Sequence, residues 1–249
     1  METPLVLLPH AGGTAQIFAG LMAELPPSVR PVPLDLPGRG RRWRERRITG
    51  FGAAVRDLRG QVADLEGPIA IFGHSLGAHL GLVLASQLER AGGPYCTTFF
   101  ASANADPLTA VLPFDRWPLR YSDAEIVEVA RIAGGALPPC VLANPALLHR
   151  SAEVLRGDFC LSATFTPLQR RSVIDADIVA CCGADDIFTD AQIDNWRWHS
   201  TGETEVVRFP GGHFYLETQA RALARLITSR LVPPARAAHP LERTDGGRA

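Results

Sequence analysis

A single α/β domain on a mostly parallel sheet, with helices on both faces, is the fold class that this 249-residue sequence predicts. Three observations carry the prediction. Short apolar runs alternate with stretches of helical periodicity along most of the chain, the pattern of repeated strand–helix units. The run 68–72 passes into Leu76, Leu80, Leu84 and Leu88 across a turn of a few residues, so a fully buried strand feeds a helix. The length is that of one large domain with ample chain to bury a core.

The elements follow in order. The run LVLL at 5–8 is the first strand, and a helical pattern at 15–25 follows it. A second strand is expected at 32–36 and a second helix at 51–65. The third strand, 69–72, leads into the helix 76–91. Strand four is expected at 97–101, strand five at 178–182, a helix at 191–199, strand six at 205–209 and a closing helix at 214–231.

One segment breaks the alternation. Between 104 and 167 no strand pattern appears, and helical stretches at 123–132 and 145–162 are separated by Gly134-Gly135 and Pro138-Pro139. Inserted after a strand end, such a segment is expected to lie over the site as a helical lid; it is longer than an ordinary crossover needs. The domain is expected to span 1–231, and the Pro/Gly/Arg-rich tail 232–249 to be disordered. No internal repeat is present.

Composition removes several classes of function. The formal net charge is −1, which speaks against bulk binding of nucleic acid. No window is long and apolar enough for a membrane span, and the N-terminus lacks a signal-peptide pattern, so a cytoplasmic protein is expected. The five cysteines show no C-x-x-C spacing, and neither a zinc site nor a disulfide framework follows. Cys181 and Cys182 are adjacent, as a redox pair would be, but they end an apolar strand and read more simply as small buried residues.

The turn between strand three and its helix is Gly73-His74-Ser75-Leu76-Gly77. It fits G-x-S-x-G and resembles the nucleophile elbow of the α/β-hydrolases, in which the serine is held in a strained backbone beside a helix N-terminus. A serine hydroxyl needs a base, and the base needs an orienting acid. His213, behind two glycines in RFPGGHFYLE and after the last strand, is the candidate base. His74, His79, His149, His199 and His239 have weaker positions. Asp186, in GADD after strand five, is the candidate acid; Asp106, in SANADPL after strand four, competes with it, and Asp185 is third. The oxyanion of an acyl-transfer intermediate needs two donors, expected from the amides of Leu76 and Ala11, the latter in LLPHAGG. The glycines there lack the Gly-Lys-Ser/Thr of a phosphate loop.

The motifs LLPHAGGTAQIF, LDLPGRGRR, FGHSLGAHLG, LRGDF, GADD and FPGGHFYL, in this order, resemble the type II thioesterases that accompany polyketide synthases and nonribosomal peptide synthetases. The resemblance implies hydrolysis of acyl or aminoacyl thioesters from the phosphopantetheine arm of carrier proteins, with Ser75, Asp186 and His213 as the triad. It implies no metal or organic cofactor. The chain departs from the family at SANADPL, where the family usually has a basic stretch before a proline. The run GRGRRWRERR at 38–47 holds six arginines, which either dock an acidic carrier or form a solvated loop in which Arg39 and Arg42 brace nearby carboxylates. Two other functions fit the same residues: a small-molecule esterase or amidase, and a non-catalytic binding protein on this fold.

Overall fold

The computed structural model describes residues 2–111 and 113–232. Its elements, in chain order, are β1 (Thr3–Leu8), α1 (Ala19–Glu24), β2 (Val29–Pro33), α2 (Phe51–Gln61), β3 (Pro68–His74), α3 (Leu76–Ala91) and β4 (Tyr95–Ser102). There follow α4 (Asp123–Ile132), α5 (Pro139–Leu142), α6 (Pro145–Ala163), α7 (Pro167–Arg170), β5 (Asp177–Gly183), α8 (Asp190–Asp194), β6 (Thr204–Phe209), α9 (Tyr215–Thr218) and α10 (Ala220–Leu231).

All six strands are parallel, in the order β2-β1-β3-β4-β5-β6. The central strands are buried on both faces, as their unbroken apolar runs require. On one face α2 and α3 pack through Phe51, Leu58, Leu80 and Leu84 against Val6, Ile71 and Phe99. On the other, α1, α9 and α10 pack through Leu21, Leu216 and Leu223 against Leu7, Phe72 and Phe100. Register aligns the carboxyl ends: Leu8 is level with Gly73, His74 with Ser102 and Gly183 with Phe209. The loops that leave these ends therefore converge at one edge of the sheet, where α/β sheets place their ligands.

Helices α3 and α4 have the bounds expected of them, and several other elements differ. The second strand is Val29–Pro33, not 32–36. Pro31 and Pro33 donate no backbone hydrogen bond, which an edge strand tolerates. Beyond it Asp35 takes the amides of Ala15 (2.8 Å) and Arg41 (3.1 Å), so the apolar-looking run leaves the sheet as a buried loop. The first helical pattern begins as a 3₁₀ turn at Ala15–Phe18, the second helix stops at Gln61, and 191–199 divides into α8 and a 3₁₀ turn at Asn195–His199.

Between β4 and β5 the described residues form α4, α5, α6 and α7 and no named strand. This segment has a small core of its own, with Tyr121, Ile126, Val129, Leu155 and Phe159. Ser122 starts α4 with a reciprocal capping box to Glu125, and Asn144 caps α6 through the amides of Ala146 and Leu147. The tail beyond Val232 lies outside the described residues. Cys181 and Cys182 are buried in the two opposite cores, since successive strand residues point to opposite faces. Burial raises both thiol pKa values, in keeping with their reading as small buried residues rather than a redox pair.

Candidate active site

Ser75 joins β3 to α3 with φ 56° and ψ −118°, a conformation that costs a side-chain-bearing residue about 1–3 kcal/mol. The surroundings hold it there. Its amide donates to the Ser102 carbonyl at 2.8 Å, and Asn104 Nδ2 donates to its own carbonyl at 2.8 Å. The flanking glycines are required by close approach of backbone. A Cβ on Gly73 would meet the Gly77 carbonyl oxygen at 2.2 Å, and one on Gly77 would meet that of Leu8 at 2.2 Å.

His213 follows β6 and Asp186 follows β5. The imidazole Nδ1–H donates to Asp186 at 3.1 Å (Oδ1) and 3.3 Å (Oδ2), with both side chains at most 5% exposed. That contact leaves Nε2 as the lone-pair nitrogen. The His213 ring lies 5.4 Å from that of His74, the residue before Ser75, which puts it beside the elbow. Ser75 Oγ makes no hydrogen bond with His213 among the described residues; such contacts commonly tighten when substrate fills a site.

Asp106 is engaged elsewhere. It accepts from the amides of Leu108 and Thr109 and the Thr109 hydroxyl, and it faces His199 Nε2 at 3.5 Å. Asp185 is exposed, with its amide bonded to the Gly211 carbonyl. His149 is a surface residue paired with Asp123. His239 lies outside the described residues.

Leu76 and Ala11 line, with Ser75, one cavity of about 330 Å³. Leu76 begins α3, so its N–H has no intrahelical acceptor. A second cavity, about 180 Å³, is lined by His10, Gly12, Leu155 and Phe214, and Ala11 borders both.

Three contacts lie around this loop, of which the sequence offered only that Arg39 braces a nearby carboxylate, without naming it. The Gly12 amide donates to Asp158 Oδ2 at 2.6 Å, which takes it out of contention as an oxyanion donor. Asp158, from α6, is also held by both terminal nitrogens of Arg39, and both side chains are buried. The turn after α4 meets His213 directly: a Cβ on Gly134 would lie 2.9 Å from its Cγ. Arg39 belongs to the arginine-rich run, where Arg42 also pairs with Glu45 and Asp57, and Arg47 with Glu153. Much of that basic run is thus neutralised within the chain.

Asp158→Ala leaves the Arg39 charge buried without a partner. Stability should fall by about 3–5 kcal/mol, whereas replacing the pair together by Met and Leu recovers most of the loss. Urea denaturation of the two variants checks this.

Burial, aided by repulsion from His213, lowers the His10 pKa to about 4. Burial also lowers His79 to about 4, although its hydrogen bond with the Ala105 carbonyl pulls the other way. Burial drives His74 well below its usual value, with Nδ1 against Ser102 Oγ at 2.9 Å. Between pH 6.5 and 4 the unfolded chain therefore binds protons that the folded chain refuses. Stability is full above 6.5 and declines as pH falls, by up to about 1.4 kcal/mol per pH unit for each histidine. Unfolding midpoints at pH 7 and pH 5 measure the slope.

Among the described residues no cluster of His, Cys, Asp or Glu is suited to hold a metal ion, and no helix is long and apolar enough to cross a membrane. A family model described as a thioesterase domain matches residues 3–231. A probable cadicidin biosynthesis thioesterase of Streptomyces griseus is 34% identical over 233 residues, 92% of this chain but only 62% of that protein's length. Thioesterase PikA5 of Streptomyces venezuelae is 31% identical over 250 residues, covering 95% of this chain and 85% of that one. The RedJ thioesterase, from the prodiginine pathway of Streptomyces coelicolor, superposes with a TM-score of 0.78 at 31% identity, over 91% of this chain and 89% of its own. ClbQ, from the colibactin NRPS/PKS pathway, gives a TM-score of 0.82 at 24% identity over 91% and 95%, a likeness of fold. The fold is that of these α/β-hydrolases. With the match running from the first residue of β1 to the last of α10, this chain belongs to the thioesterase family and is a hydrolase of thioester bonds.

Proposed function

We propose that this enzyme is a stand-alone type II thioesterase that releases acyl or aminoacyl groups from the phosphopantetheine arm of carrier proteins in polyketide or nonribosomal peptide biosynthesis. The observation that carries the reading is the Asp186–His213 hydrogen bond beside a strained serine that opens on a cavity. His213 Nε2 takes the Ser75 proton as Oγ attacks the thioester carbonyl. The oxyanion forms between the amides of Ala11 and Leu76, and Asp186 holds the imidazolium. Collapse expels the thiolate, which takes its proton from His213. Water then loses a proton to His213 as it attacks the acyl-serine, and collapse breaks the bond to Ser75 Oγ, which takes that proton back from His213 as the free acid leaves. No step calls for a metal or an organic cofactor.

Relatives named for cadicidin and prodiginine biosynthesis support the carrier as partner, and a cytoplasmic reaction is part of this proposal. The segment between β4 and β5 borders both cavities, which supports its role as a lid. Neither nucleic acid nor membrane enters the reading. The test compares acyl groups on a phosphopantetheinylated carrier, on a small thiol and as oxygen esters. Faster release from the carrier is expected. Equal turnover of free esters makes this a small-molecule esterase, and binding without turnover makes it a ligand-binding relative.

A further inference from the structure

The cavity beside Ser75 is apolar along most of its wall, through Val111, Ile132, Phe159, Phe165 and Phe188. Arg170, the last residue of α7, lines it as well. Its guanidinium is partly buried and already committed on one side. Nε donates to the Phe165 carbonyl at 3.2 Å, and Nη1 to those of Pro107 (2.9 Å) and Ala110 (3.3 Å). The group lies 5.0 Å from the centroid of the Phe165 ring. These contacts fix its position.

They do not neutralise it. Arg39, Arg42 and Arg156 each meet a carboxylate, whereas among the described residues Arg170 forms no ion pair. Nη2 retains its donors, with no acceptor among the described residues. Burial without a compensating acid lowers its pKa, so the cation is held at a cost that an anionic ligand relieves. Ser162, on α6, lines the same cavity with a hydroxyl that has no protein partner among the described residues.

We propose that Arg170 determines specificity in the acyl cavity and that the preferred substrates are ω-carboxyacyl thioesters, whose distal carboxylate accepts a hydrogen bond from Nη2. The inference rests on the thioesterase reading above. Because Nε and Nη1 are occupied, the contact is one charge-assisted bond rather than a two-pronged clamp. Its expected worth is about tenfold or more in kcat/KM.

The experiment measures kcat/KM for glutaryl and adipoyl thioesters of N-acetylcysteamine beside pentanoyl and hexanoyl thioesters, in wild type, Arg170→Gln and Arg170→Lys. Wild type should favour the carboxylated member of each pair by about tenfold or more, and the preference should shrink with added salt. Arg170→Gln should bring the ratio near one, and Arg170→Lys should keep part of it. Should Arg170→Gln fail to fold, the wild-type ratio, its salt dependence and the lysine variant still decide. A wild type that cleaves the methyl-terminated chains as fast or faster, or a ratio that a folded Arg170→Gln leaves unchanged, overturns the inference and spares the thioesterase reading. Should none of the four be cleaved, the same acyl groups are read on a phosphopantetheinylated carrier: release there without preference for the carboxylated chains overturns the inference alone, and release of none overturns both.

Discussion

Alanine at position 75 should lower kcat by on the order of 10⁶ while leaving the unfolding transition close to that of wild type. The two halves of this expectation have separate causes. Ser75 Oγ would be the only atom to bond covalently to the acyl group, so nothing else in the cavity replaces it. The backbone strain at φ 56° belongs to any residue with a Cβ, so alanine inherits it and stability moves little. Glycine at the same position should raise the unfolding midpoint while being equally inactive. Mass spectrometry supplies the second measurement: an acyl adduct on the elbow peptide in wild type, absent in both variants. A Ser75→Ala enzyme within tenfold of wild type sinks the mechanism.

The second large effect separates two aspartates that the sequence alone left in competition. Asp186→Asn should cost on the order of 10⁴ in kcat, because an amide at this position stabilises the wrong imidazole tautomer. Asp106→Asn should leave kcat within a few-fold and lower stability instead. Burial opposes ionisation of Asp106, but the nearby His199 imidazole and hydrogen bonds from Thr109 and the Leu108 amide outweigh it and lower its pKa. Its carboxylate therefore secures the segment that follows β4. Rates and urea midpoints of both variants settle the matter, and a collapse of kcat in Asp106→Asn alone would reverse the assignment.

Why Asp186 was legible and its setting was not follows from range. The elbow, the strand ends and the glycines before His213 are local signals, each written within a few residues. Helix α3 was readable to its ends because leucines recur at 76, 80, 84 and 88 and Gly92 takes a left-handed conformation after it. The second strand was misplaced because prolines and leucines at 31–36 look alike whether they pair at an edge or turn inward around Asp35. The partners of Arg39 were hidden by the 119 residues that separate it from Asp158. One clue was present: Asp158 falls on the helical stripe of Leu155 and Phe159, where a charged side chain faces inward and needs a partner. Arg170 carried no comparable clue, since a cation near a helix end is ordinary until a cavity is seen beside it.

The buried node of Gly12, Arg39 and Asp158 also bears on cooperativity. It ties the loop after β1 and the arginine-rich run to the middle of α6, so α6 cannot melt without exposing a charge and freeing an amide. Hydrogen exchange should accordingly find α6 protected to nearly the same free energy as the central strands, as part of one foldon. Helix α4 and the short α5, which have no such anchor to the sheet among the described residues, should exchange at a lower free energy than α6, so the segment after β4 splits into a part bound to the sheet and a part bound only to α6.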